Sequence, residues 1–221
     1  MHACITKITK KNGGLAIIAA LLLIPSLALA HADASHLALS VAGFSSGFLH
    51  PLTGLDHLLA MLAVGVWAAQ NTRTSRWLLP LVFPLMMLLG AVISLQLTRA
   101  AGAAGAAGID ASIETGIALS VLVLGGLIAF AIRLPALASA ALIALFALLH
   151  GYAHGTDLAS AASGIAYALG FLSCTLLLHL LGLLASLSVS GSLKQRLSRK
   201  LAKLIGAAIA SCGLLFLYNL V

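Results

Sequence analysis

From residue 51 onward the chain is a succession of apolar runs, each near the roughly 20 residues a helix needs to cross a bilayer. The runs cover residues 55–69 (extended back toward Pro51), 77–97, 113–132, 135–153, 158–187 and 204–221. In hydrocarbon every backbone N–H and C=O must find its partner within the protein, so runs of this length specify helices. The expected fold is an all-α integral membrane protein with six transmembrane helices. Composition agrees: 62% of residues are hydrophobic and 8% charged, against about 25% charged in soluble domains. Water-soluble, disordered and fibrous classes are excluded on that ground. A further apolar piece, residues 37–49, contains Gly43-Phe44-Ser45-Ser46-Gly47 and is too short to cross alone. It is re-entrant, interfacial or an extension of the first span.

The first thirty residues read as an address. Lys7, Lys10 and Lys11 precede a short apolar core broken by Pro25, and Ala28-Leu29-Ala30 has the small-residue form of a cleavage site. This is the pattern of a cleavable secretory signal peptide over residues 1–30, leaving 31–221 as the transmembrane domain. An uncleaved first helix is the alternative. The loops give orientation. Arg73, Arg76, Arg133, Lys194, Arg196, Arg199, Lys200 and Lys203 fall on one side of the expected topology and only Arg99 on the other. Cytoplasmic loops carry the Lys/Arg excess, so both signals place the mature N-terminus in the periplasm of a bacterial inner membrane. The stretch from Gly102 to Gly108 is expected as a small-residue outer loop.

Twelve Lys and Arg against five Asp and Glu give a net charge of +7. Their position between apolar runs points to membrane orientation, not to nucleic acid. Cys4, Cys174 and Cys212 lack the spacing of a disulfide framework or zinc finger. No glycine-rich loop ending in Gly-Lys-Ser/Thr is present, so no ATP site is expected. The partners implied are the lipid bilayer and, from the histidines and acids within the apolar runs, a divalent metal ion. A homo-oligomer is left open.

Ionisable groups at membrane depth are costly and mark function. Here they cluster. One group is His50-Pro51-Leu52-Thr53-Gly54-Leu55-Asp56-His57, the other His150-Gly151-Tyr152-Ala153-His154-Gly155-Thr156-Asp157. At about 100° per residue, a continuous helix would hold His150, His154 and Asp157 within an arc of about 60°. An i,i+4 histidine pair can hold one metal from one helix face. Gly151 and Gly155 beside it would let another helix backbone approach. If the glycines instead end the helix at His150, the histidines only hydrogen-bond and Asp157 caps the fifth span. Thr53-x-x-Asp56 resembles a capping box that starts a helix at Gly54. The topology places Asp56, Glu114 and Asp157 at the N-terminal ends of spans one, three and five, where acids cancel the positive helix ends. With His50, His57, His150 and His154 at the same depth, the expected site is an outer vestibule for a divalent transition metal. His179, deep in span five, is either a packed core histidine or an inner relay. His31 and His36, with Asp33, are accessory candidates for collecting metal outside.

The run from His50 to Ala68 resembles the first motif of the HupE/UreJ hydrogenase and urease accessory membrane proteins, H-P-x-x-G-x-D-H-x-x-x-M-x-x-V-G-x-x-A, at every fixed position. Leu149 to Asp157 resembles the second, F-H-G-x-A-H-G-x-E, with Leu149 in place of Phe and Asp157 in place of Glu. The shorter Asp keeps the charge. The resemblance covers the whole chain. It implies permeation of nickel, or of cobalt, into the cell for metalloenzyme maturation, with the ion as cargo, no permanent cofactor and no enzymatic activity. Two other classes compete. A membrane zinc hydrolase would use the His/Asp cluster to hold zinc and its water. A bis-histidine haem carrier would not need the acids.

Overall fold

A computed structural model describes residues 34–161, 163–187 and 192–220. The signal-peptide reading, His31, Asp33 and the side chain of His36 lie outside the described residues. The chain divides after Ser40; the described part of the first unit, residues 34–40, is helical, and the second unit, Val41–Val221, carries the features below. The described residues form seven helices: α1 (Ala34–Thr53), α2 (Leu55–Gln70), α3 (Arg73–Ala129), α4 (Ala136–Ala153), α5 (Gly155–Ser160), α6 (Gly164–Leu187) and α7 (Ser192–Asn219). No strand occurs among them. Five segments are long and apolar enough to cross a membrane, and a sixth span results if the pair Ala38–Thr53 and Leu55–Gln70 is counted as one broken span. Apolar side chains such as Leu137 (84% exposed) and Ile165 (79%) point outward, as a lipid-facing surface requires.

The first span is not a continuation of the piece before it. The helices ending at Thr53 and starting at Leu55 meet at 83°. Gly54 sits between them in extended conformation (φ −92°, ψ 116°) and caps α2 without a side-chain hydrogen bond. The expected capping box is therefore absent. The Thr53 hydroxyl donates to the His50 carbonyl at 2.7 Å, closing the end of α1. Pro51 lies inside α1, close to its end.

Helix α3 holds two spans, Arg73–Ala100 and Ala111–Ala129. A straight helix of its 57 residues would be about 85 Å long. Both of its ends nevertheless stand beside the end of α2. Thr72 accepts from the Ser75 N–H at its start, and at its far end Gln70 Nε2 donates to the Ile128 carbonyl and Trp67 Nε1 to that of Ile132. The two spans therefore run antiparallel. The expected connection from Gly102 to Gly108 lies between the two spans, as the reversal requires, with its backbone helical instead of irregular; alanine, which makes up much of it, is the strongest helix former. Arg73, Arg76 and Arg133 gather at this end of the bundle, opposite the start of α2.

The expected fifth span from residue 158 is also corrected. The helix from Ala136 ends at Ala153, α5 lasts six residues, and the spanning helix begins only at Gly164. The low helix propensity of Gly151 and Gly155 on either side of His154 accounts for the break. The close approach expected at these glycines is present. A Cβ on Gly151 would run into the Met87 carbonyl, and one on Gly155 into Ser94. The approaching helix is α3. Gly65 and Gly182 bring α2 and α6 together in the same way. The core between the helices is built from Met61, Val64, Trp67, Leu79, Phe83, Met87, Ile143 and Leu183.

Candidate metal centre

The two sequence groups, about a hundred residues apart, meet at one end of the bundle. His50 comes from the last turn of α1, Asp56 and His57 from the first turn of α2, and His150 from the last turn of α4. His154 stands at the break, with φ −96° and ψ 5°, its N–H donating back to the Gly151 and Tyr152 carbonyls. Asp157 lies in the first turn of α5. His57, His150 and His154 are buried, and His50 is half-buried.

The break changes the geometry expected from spacing. His150, His154 and Asp157 do not share the face of one helix. Instead His154 turns toward α2, and its Nε2 lies 2.6 Å from His57 Nε2. His57 Nδ1 donates to Asp56 Oδ1 at 2.8 Å, and His154 Nδ1 to Asp157 Oδ2 at 3.1 Å. The result is a row: carboxylate, imidazole, imidazole, carboxylate. Its three hydrogen bonds need three protons, and two neutral imidazoles supply two. With both Nδ1–H groups given to carboxylates, neutral imidazoles leave two Nε2 lone pairs facing each other, an arrangement that a cation between them would stabilise. Metal–nitrogen bonds are about 2.0–2.1 Å, so tetrahedral ligation would open the nitrogen pair to about 3.3 Å.

The other residues surround this row. His50 Nε2 is 3.8 Å from Asp157 Oδ2, and its ring centroid is 4.6 Å from that of His154. Ligand atoms of His50, His154 and Asp157 all lie within 4.8 Å of one another, a grouping able to hold one ion. The His150 ring lies 5.1 Å from His57, its Nδ1 donating to the Phe146 carbonyl at 2.9 Å. Burial pushes the His154 imidazole down to about 4, only partly opposed by its hydrogen bond to Asp157. The hydrogen bond from His154 holds the Asp157 carboxyl below its ordinary range. Around neutral pH the pair is therefore a neutral imidazole and a carboxylate, the forms that ligate metal.

Glu114 does not join the cluster but lines, with Asp56, Ala118 and Phe216, an open recess of about 240 Å³. It places a second carboxylate beside the approach to Asp56. His179 lies apart from the cluster, fully buried on α6. Sequence reasoning missed the aromatic wall. Tyr167 and Phe171 of α6 pack on His50, Phe171 also on His154, and Phe83 of α3 on His150. Isolated aromatics in apolar spans carry no signal that separates them from ordinary core. A cavity of about 30 Å³ adjoins His154, Met87, Tyr167 and Phe171.

These features define a class: a multi-pass helical membrane protein with a buried histidine–carboxylate centre near one end of its bundle. The family is equally plain. Residues 19–216 match the model of the HupE / UreJ protein family, and the chain belongs to that family. It is 36% identical over 196 residues to Protein HupE of Rhizobium leguminosarum bv. viciae, covering 88% of this chain and 92% of that one. No solved structure matches.

Proposed function

We propose that the chain is an inner-membrane permease for a divalent transition metal, nickel or cobalt, supplying hydrogenase or urease maturation. The observation that carries this reading is the convergence of His50, His57, His150 and His154 with Asp56 and Asp157 at one end of a membrane bundle. Ionisable groups are too costly at that depth to be held there by packing alone. Imidazole suits nickel and its neighbours, whereas an all-carboxylate site would suit magnesium, calcium or manganese. His57, His154, His50 and Asp157 hold the ion, His150 forms the floor of the site, and Asp56 orients His57. Glu114 draws cations toward the mouth. The gathering of Arg73, Arg76 and Arg133 at the opposite end supports a periplasmic metal centre under the positive-inside rule, with the mature N-terminus also periplasmic. The test is uptake of radiolabelled nickel and cobalt by cells with and without the protein at limiting metal. Accumulation that depends on the protein supports the reading; equal accumulation refutes it.

A further inference from the structure

At the floor of the metal centre and below it lie polar atoms with no partner. His150 and His179 are fully buried, and the Nε2 atom of each has no hydrogen-bond partner among the described residues. The same holds for the hydroxyl of Thr175, one turn before His179 on α6. Buried polar atoms are nearly always satisfied in folded proteins, so these three, among seven left without a partner in the described residues, call for a ligand.

The orientation of His179 has an identifiable cause. Helix α3 contains Pro80 and Pro84. Pro84 has no N–H, so the Pro80 carbonyl lacks its helical i+4 donor. The Nδ1–H of His179 donates to it at 3.2 Å. That bond fixes the tautomer and leaves the Nε2 lone pair to accept a cation. His150 is held in the same way, with Nδ1–H on the Phe146 carbonyl and Nε2 open.

Two helices independently give the depth. Gly65, which packs on the His179 carbonyl, is eight residues beyond His57 on α2. His179 is eight residues beyond Phe171, which packs on His50 and His154. Eight helical residues rise about 12 Å, which in a hydrocarbon core of about 30 Å brings His179 near mid-bilayer. One side chain touches both histidine positions: the Phe83 ring is 5.6 Å from His150 at 61° and 5.1 Å from His179 at 85°.

We infer that Phe83 is a gate between the outer centre and a second, inner cation position formed by His179 Nε2 and Thr175 Oγ1. The inference rests on the permease reading. A cation leaving the outer centre passes from His150 Nε2, across the Phe83 ring, to His179 Nε2. The ring closes the path by its bulk, and its face attracts a passing cation. Rotation of one side chain then opens the route without moving either ligand set.

The test is equilibrium nickel titration of the purified full-length protein, combined with nickel uptake into proteoliposomes. The wild type is expected to bind two ions. His179→Gln should keep the outer ion with unchanged affinity, which also reports an intact fold, lose the second ion, and reduce uptake at least tenfold. Phe83→Ala should keep both ions and take up nickel several-fold faster than wild type; an unchanged or lower rate in the folded variant overturns the gate. Should His179→Gln fail to assemble, Thr175→Val, which preserves shape, must weaken the second ion and slow uptake. Full second-ion binding and wild-type uptake in His179→Gln, or in Thr175→Val where that variant stands in for it, overturns the gate. So does a single ion bound by the wild type. A wild type that binds no nickel overturns the permease reading together with the gate.

Discussion

Acidification should loosen the metal-free centre, and His154 carries a share of the effect that its substitution isolates. In the unfolded chain an imidazole takes up its proton near pH 6.5. Burial lowers the folded value to about 4. The charged groups facing it are His50 and His57, which disfavour a second positive charge, and Asp157, which favours it. Between those two pH values the unfolded state holds more protons, so stability rises with pH. Stability present above about pH 6.5 is lost progressively as pH falls toward 4. The depression of Asp157 has the same sign, but its contribution is lost only below its ordinary range near 4. The His154 shift corresponds to about 3 kcal/mol at most, or roughly 6–12 °C in melting temperature for a chain of this size. The assay is thermal unfolding of the metal-free protein in detergent at pH 7.5, 6 and 5, beside His154→Gln, which cannot titrate. The wild type should lose several degrees by pH 5, and the variant should lose clearly less. A wild-type melting temperature that does not move, or an equal fall in both proteins, refutes the assignment of the pH dependence to His154.

Other substitutions test single contacts. Asp157→Glu, which restores the acid of the family motif, should keep uptake within about twofold of wild type, because the carboxylate still reaches His154; loss of uptake would show that the shorter side chain is required. Thr53→Ala removes the hydrogen bond to the His50 carbonyl and should cost about 1 kcal/mol of stability, visible as a small drop in melting temperature with uptake intact. Gly151→Leu drives a side chain into the Met87 backbone and should destabilise by at least 1–3 kcal/mol; unchanged melting would mean that α3 and α4 do not pack as described. Proton release on nickel loading, read in weakly buffered protein, should be small at pH 7.5 and grow as pH falls toward 4, where His154 takes up a proton that the metal must displace.

Much of this architecture is legible in the amino-acid sequence. The apolar runs mark most of the spans, and the two histidine groups mark the centre, because ionisable groups at membrane depth are too costly to be incidental. The approach of a neighbouring helix at Gly151 and Gly155 is legible too, since only missing side chains allow it. The break at His154 is not. Helical periodicity continues through it, and only the weak propensity of two glycines hints that the chain turns. The bend at Gly54 was obscured by Thr53, whose hydroxyl closes one helix where spacing alone suggests that it opens the next. The approach of His57 to His154 and the packing of Phe83 between two histidines depend on tertiary contacts across about a hundred residues. No local pattern encodes them.

The central claim is that His57 and His154, with His50 and Asp157, hold a divalent metal. Nickel titration of the purified protein tests it most directly, read by X-ray absorption at the nickel edge and repeated with His57→Ala and His154→Ala. Residues that merely support a ligand typically cost 10- to 100-fold in affinity when replaced. The account predicts imidazole nitrogen ligation in the wild type and an affinity loss above about 100-fold at the outer centre in each variant. Wild-type affinity retained in both folded variants would contradict it.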